Sequence, residues 1–138
     1  MNFFQRLFSK KPAFTQNFSN IIAAKVIDIQ KHPNADRLRV VKLDAGDKII
    51  EPVVCGAFNF GTGDTVALAL PGATIAQNIH DDKHQSFILE KAKIRGIESQ
   101  GMICAAFELG LSDKPERGIM VLGSGIKPGS EFTPDMIK

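Results

Sequence analysis

Three cations lie within five residues of one another, Lys91, Lys93 and Arg95, in the stretch "EKAKIRGIESQGMICAA". Alternate residues of a β-strand project from the same face, so we expect these three on one face, with Ala92 and Ile94 directed inward. Residues i and i+2 are about 7 Å apart, a spacing that can follow the phosphates of a nucleic-acid backbone. The stretch therefore predicts a phosphate-binding strand; the alternative is a solvated barrel edge.

The polar bend after these cations adds groups that suit a nucleic-acid ligand. Gly96 and Gly101 have no Cβ, which allows a ligand backbone to come close. Ser99 supplies a hydroxyl, and Met102 supplies a soft apolar contact for a base. We expect Ser99 and Met102 to belong to the same binding surface as the cations.

The turn "KHPNAD" is a second candidate. Asn34 and Asp36 can hydrogen-bond their own backbone and fix the turn, and His32 before Pro33 can cap a strand end. We assign Asp36 to this structural role, whereas Asn34 could also reach RNA.

Catalytic and metal sites have little support in the sequence. It contains no glycine-rich phosphate loop, no nucleophile signature and no spaced carboxylate pair. His80 and His84 in "HDDKH" have a zinc-like spacing, but the segment has no helical period and no third ligand, so we expect a solvated loop. Cys55 and Cys104 lie in apolar stretches and are expected to be buried free thiols. We predict no enzyme, no cofactor and no metal.

Charge is unevenly distributed along the chain. Residues 1–20 carry +3 and no acid, whereas residues 21–138 carry fourteen cations against fifteen acids. Any nucleic-acid-binding surface must therefore be local, because the body as a whole is not basic. The Phe-rich start also has features of a transit peptide or a membrane anchor, but so short a helix binds lipid weakly. We expect a terminal arm without membrane contact and a cytoplasmic protein.

The remaining pattern is that of an all-β protein. Short alternating strands begin at Ile21 and are separated by glycine-rich turns, and "FELGL" predicts a single helical turn. Pro52 lies inside the third strand, which indicates a bulge or an edge position. We predict a five-stranded OB-fold barrel over residues 21–106 with short helical turns, preceded by the arm and followed by a C-terminal extension over residues 107–138. A small SH3-like barrel or a sandwich remains an alternative from periodicity alone.

Four segments together resemble a known family: "KVIDIQKHPNADRLRVVKLDAG", "VVCGAFN", "VALALPGATI" and "KAKIRGIESQGMICAAFELGL". They are similar to the tRNA-binding domain found in the bacterial phenylalanyl-tRNA synthetase β subunit, in methionyl-tRNA synthetases, in the endothelial monocyte-activating polypeptide and in free-standing proteins. The resemblance covers residues 21–122 and is strongest to the phenylalanyl β-subunit version. The start at Met1 favours a complete, free-standing module.

The resemblance implies a non-catalytic tRNA-binding module. It places RNA contacts on Asn34, Lys91, Lys93, Arg95, Ser99 and Met102. The chain has no Trp and no Tyr, and we expect Phe58, Phe60 and Phe87 to pack in the core or an interface, so recognition of folded tRNA by shape and phosphates is favoured.

The alternative is a protein-interaction or dimerisation module of the synthetase system with RNA binding weak or lost. Its partners would be a second copy of the chain or an aminoacyl-tRNA synthetase. The C-terminal extension would then pack on a dimer partner through "GIMVLGSGIKPGSEFTPDMIK" rather than on its own barrel.

Overall fold

The structure is a computed structural model, and it describes residues 18–138. Within that range two single-turn 3-10 helices cover Phe107–Leu109 and Pro134–Met136. The strands are β1 (Ile21–Lys31), β2 (Arg39–Asp44), β3 (Ile49–Cys55), β4 (Thr65–Ala69), β5 (Thr74–Ile75), β6 (Phe87–Ile88), β7 (Ala92–Ile94), β8 (Ile97–Ser99) and β9 (Met102–Ile103).

Five antiparallel strands form one curled sheet in the order β3-β2-β1-β4-β9. Its two ends approach each other around β8: the Gln100 backbone N–H donates to the Pro52 carbonyl at 2.9 Å, and the Val54 N–H donates to the Ser99 hydroxyl at 2.9 Å. Apolar side chains from all five strands fill the interior. The fold is an OB-like barrel, which confirms the predicted all-β class.

Local sequence explains where the strands bend and end. The register between β2 and β3 shifts between Val41 and Leu43, opposite Pro52, and β3 is an edge strand of the sheet. The bulge or edge predicted at Pro52 is thus confirmed. Its physical reason is that proline has no N–H to donate at a central ladder position. Pro71 and Gly72 separate β4 from β5, and the helical turn predicted in "FELGL" is the 3-10 helix Phe107–Leu109.

The C-terminal segment, residues 119–137, adds to the sheet. Backbone bonds join Phe132 to Ile21 at 2.9 Å and Leu122 to Thr65 at 2.8 Å. The stretch "RGIMVLG" forms isolated bridges, one of which pairs Val66 with Val121. The segment therefore contacts its own barrel through main-chain hydrogen bonds.

A second apolar core lies between this segment and the outer face of the sheet. Phe132 is 1% exposed and meets the Phe18 ring edge-on at 5.2 Å. Ile21 and Ala23 of β1 contribute to this outer core, while Ala24 and Val26 face the barrel interior. Both faces of β1 are consequently covered over residues 21–24, whereas Lys25 is exposed.

The described part of the chain contains no helix long and apolar enough to cross a membrane. Residues 1–17, which include most of the predicted arm and the membrane contact considered for it, lie outside the described residues. Cys55 and Cys104 are buried free thiols, as predicted. Burial raises the pKa of both thiols, that of Cys104 more strongly, so neither has the character of a reactive thiolate.

Candidate nucleic-acid interface

The cationic stretch forms a β-hairpin, named here the cationic hairpin (residues 91–99). Strands β7 and β8 pair antiparallel with Ile94 opposite Ile97, which leaves Arg95 and Gly96 as a two-residue turn. Their φ angles are +53° and +94°, and a type I′ turn needs positive φ at both positions. The prediction of one strand that carries all three cations, with Ala92 directed inward, is therefore wrong: β7 ends at Ile94 because the chain reverses at Arg95, and Ala92 is exposed.

All three predicted cations are exposed on this hairpin. Lys91 precedes β7, Lys93 lies within it and Arg95 is at its tip. Within residues 18–138 none of the three takes part in an ion pair. Two acids partly offset their charge, since Glu98 lies directly opposite Lys93 and Glu90 precedes Lys91. The hairpin thus carries a net charge of +2 over residues 91–99, or +1 when Glu90 is included.

A buried histidine clamps the hairpin to the barrel. His32 is 1% exposed, and its Nδ1 accepts a hydrogen bond from the Asn34 backbone N–H at 3.0 Å. The proton is therefore assigned to Nε2, which donates to the Ile94 carbonyl at 3.1 Å. The Asn34 side chain donates to the Arg95 carbonyl at 3.3 Å. The turn "HPNAD" thus sets the position of the hairpin tip, and Asn34 stands beside Arg95 on the exposed surface.

Sequence reasoning gave His32 no more than a capping role. Its partner Ile94 is 62 residues away, so no local pattern could reveal the clamp. Asp36, which was assigned to the turn, is exposed and lies 3.5 Å from the Lys31 ammonium.

Ser99 and Met102 occupy different environments from the cations. Ser99 is 4% exposed; its hydroxyl accepts from the Val54 N–H and donates to the Gly101 carbonyl at 2.8 Å. The hydroxyl therefore anchors the base of the hairpin to β3. Met102 is half-buried and lines a cleft beside the hairpin. The structure brings Asn34 next to Arg95 at the hairpin tip and exposes Lys91 and Lys93 on the same hairpin, with Ser99 buried at its base and Met102 in the cleft beside it.

One aromatic side chain is more exposed than expected. Phe58 is 58% exposed, whereas Phe60 is buried and Phe87 half-buried. The Arg39 guanidinium lies 4.7 Å from the Phe58 ring centroid and 4.6 Å from that of Phe60, and it donates to the carbonyls of Ala57 and Phe60. The contact with Arg39 therefore fixes the Phe58 ring, which presents apolar surface for stacking.

The two histidines of the loop have different surroundings. His80 is exposed, and His84 packs edge-on against Phe107 with ring centroids 4.8 Å apart. No group of three or more His, Cys, Asp or Glu side chains suited to a metal occurs between residues 18 and 138.

Comparison with known sequences points to one family. Residues 21–131 match the family model described as "Putative tRNA binding domain". The chain is 44% identical over 118 residues to the phenylalanine–tRNA ligase beta subunit of Chlamydia pneumoniae, which covers 84% of this chain and 14% of that protein. It is 49% identical over 107 residues to the same subunit of Chlamydia abortus, which covers 76% of this chain and 13% of that protein. The chain therefore spans a small part of these relatives.

Solved structures share the fold at low sequence identity. A MetRS related protein from Pyrococcus horikoshii gives a TM-score of 0.56 at 14% identity, covering 82% of this chain and 88% of that one. The C-terminal domain of Plasmodium vivax p43 gives 0.52 at 20% identity, covering 83% and 60%. At these identities the likeness concerns the fold alone.

Proposed function

The chain belongs to the tRNA-binding domain family, and on that premise we propose that it is a non-catalytic module that binds folded tRNA by its shape and its phosphates. The relatives are, by name, subunits of phenylalanine–tRNA ligases, which supports tRNA as the ligand. The proposed setting is the cytoplasm, where tRNA is used in translation.

The single observation that carries the proposal is the cationic hairpin itself. Lys91, Lys93 and Arg95 are exposed and free of ion pairs in the described residues, while buried hydrogen bonds from His32 and Ser99 hold their backbone in place. A fixed backbone lowers the entropy lost when the side chains engage a ligand. Unpaired cations on such a support suit phosphate binding better than a mobile, solvated edge does.

Each predicted contact residue has a distinct part in the proposal. The ammonium groups of Lys91 and Lys93 bind phosphates as point charges, and the Arg95 guanidinium can bind one phosphate with two hydrogen bonds. Asn34 offers its amide to the RNA backbone beside Arg95. Met102 contacts a base from the cleft. We assign Ser99 to positioning the hairpin, because its hydroxyl is already used twice within the protein.

A docking or dimerisation function finds less support. Three large apolar side chains of the C-terminal segment, Met120, Leu122 and Phe132, are buried in the protein's own outer core, and Ile137 is 39% exposed. Ile88 is 55% exposed and belongs to the short β5–β6 pair, but it is a single side chain. We therefore propose RNA binding ahead of protein docking.

The test is a titration of labelled bulk tRNA beside an unstructured RNA of equal length. We expect tighter binding to folded tRNA, because A-form helices and their junctions present phosphates in a fixed arrangement. With about three phosphates neutralised, affinity should fall roughly 40-fold between about 50 and 200 mM salt. Equal affinity for both RNAs would reject recognition of folded tRNA, and no binding at low salt would reject the proposed function.

A further inference from the structure

A cleft of about 420 Å³ opens at the base of the cationic hairpin. Cavities that hold small ligands usually begin near 300 Å³, so this one has room for a single nucleobase. Ala92, Ile94 and Ser99 of the hairpin form part of its wall. Other apolar residues that line it are Leu38, Ile79, Leu89, Met102 and Ile119.

Two carboxylates line this cleft: Glu90 is exposed, whereas Glu108 is partly buried. Oε1 of Glu108 accepts a hydrogen bond from the Ala105 backbone N–H at 2.8 Å, a bond that supports the turn before the 3-10 helix. In the described part of the chain no protein group donates to Oε2. Burial raises the pKa of Glu108, and the charge of Arg117 at the cleft opposes that shift. A partly desolvated carboxylate oxygen is thus left without a protein donor beside an apolar wall.

The chemistry of the cleft selects among the parts of an RNA. A phosphate would be repelled by the Glu108 carboxylate, and a purely apolar group would leave Oε2 without a donor. A nucleobase has two apolar faces and an edge with N–H donors, which match the wall and the carboxylate. Carboxylates accept from the amino groups of bases in other nucleic-acid complexes, for example from cytosine N4.

We propose that this cleft binds one unpaired base of the RNA, with the ring against the wall that includes Ile94 and Met102 and the exocyclic amino group donating to Glu108. The inference rests on the proposed function, because the hairpin would bring the RNA backbone to the cleft. Arg117 at the rim is available for the phosphate of the same nucleotide. Adenine, guanine and cytosine carry an exocyclic amino group, whereas uracil offers only its ring N3–H, so the cleft should disfavour uridine.

The first arm of the test uses tRNA and the variant Glu108→Gln. The variant removes a negative charge, so general electrostatics predicts tighter RNA binding. The proposal predicts the opposite: about 10-fold weaker binding with an unchanged salt slope, because a charge-assisted hydrogen bond to the base is weakened. Glu116→Gln is the matched control, since Glu116 is exposed in the same segment. Binding by Glu108→Gln as tight as by the control would overturn the proposal.

The second arm does not depend on tRNA binding. Methyl signals of Ile94 and Met102 are followed by NMR while wild-type protein is titrated with AMP, UMP or ribose 5-phosphate. We expect saturable shifts with AMP, several-fold weaker binding of UMP and none of ribose 5-phosphate. Equal or absent shifts with AMP and ribose 5-phosphate would overturn the cleft assignment. A protein that binds AMP at these methyl groups but no tRNA would retain the cleft and lose the proposed function.

Discussion

The cationic hairpin and the C-terminal segment are both additions to the same five-stranded sheet, yet they are attached in different ways. The C-terminal segment is joined by backbone hydrogen bonds to β1 and β4 and buries Phe132 in an outer core. The hairpin is held largely by the side chains of His32, Asn34 and Ser99, and it leaves its cations in solvent. The first attachment serves stability, whereas the second presents charge from a fixed position.

The largest expected effect comes from Phe132→Ala. A phenylalanine truncated in a closed core leaves a cavity, and the free energy of unfolding should fall by about 3–5 kcal/mol. Urea denaturation measures the loss, with Phe132→Leu as a milder control. The tRNA affinity of the folded fraction should not change. A loss of tRNA affinity in the fully folded variant would contradict the claim that the C-terminal segment serves stability alone.

Ser99→Ala should have the next largest effect. The Val54 N–H would lose its acceptor in a buried place, which costs about 1–3 kcal/mol of unfolding free energy. Ser86→Ala, at an exposed position, is the control. If Ser99→Ala left stability unchanged but weakened tRNA binding, Ser99 would be a direct RNA contact rather than an anchor.

Glu108 should make stability depend on pH. Burial raises the pKa of Glu108 in the folded protein above the usual 4.5. At pH values between the unfolded pKa and this raised pKa, the folded protein therefore binds more protons than the unfolded chain. The stability that Glu108 contributes should therefore decrease as pH rises through this window and then level off. Unfolding curves of wild type and Glu108→Gln, compared between about pH 4 and pH 8, isolate this dependence. A constant difference across the range would contradict a raised pKa.

The smallest expected effect is a gain in RNA affinity from Glu98→Gln. Glu98 lies opposite Lys93 on β8, and its charge opposes the approach of a phosphate. We expect tRNA binding to tighten about two- to five-fold at low salt, with no change in the unfolding free energy beyond about 0.5 kcal/mol. Glu131→Gln, on the C-terminal segment, controls for net charge. An equal gain in both variants would indicate that the hairpin has no special role.

Sequence reasoning was most successful where structure depends on neighbouring residues. The period of β1 and the irregularity at Pro52 follow from local patterns and from the chemistry of proline. It placed the three cations on an exposed element, but it did not predict the turn at Arg95. Type I′ turns favour Asn or Gly at the first position, so an arginine there with φ +53° gives no local signal.

Features that depend on distant partners were missed or left open. The second buried face of β1 exists because residues 129–132 return to cover it, more than a hundred residues later. The role of His32 depends on Ile94. The cleft beside Glu108 is formed in part by the hairpin and by the loop that precedes the hairpin. Periodicity within one segment carries no information about such pairings.

The most direct measurement of the central claim is the salt dependence of tRNA binding in a Lys93→Ala/Arg95→Ala double variant. Its control is Lys48→Ala/Lys127→Ala, which removes the same charge from exposed positions. Lys48 lies in the turn before β3, whereas the hairpin contacts Val54 near the other end of that strand. We predict that the slope of log affinity against log salt becomes shallower by about two in the hairpin variant and stays unchanged in the control. Equal slopes in wild type and the hairpin variant would contradict the claim that this hairpin binds phosphates.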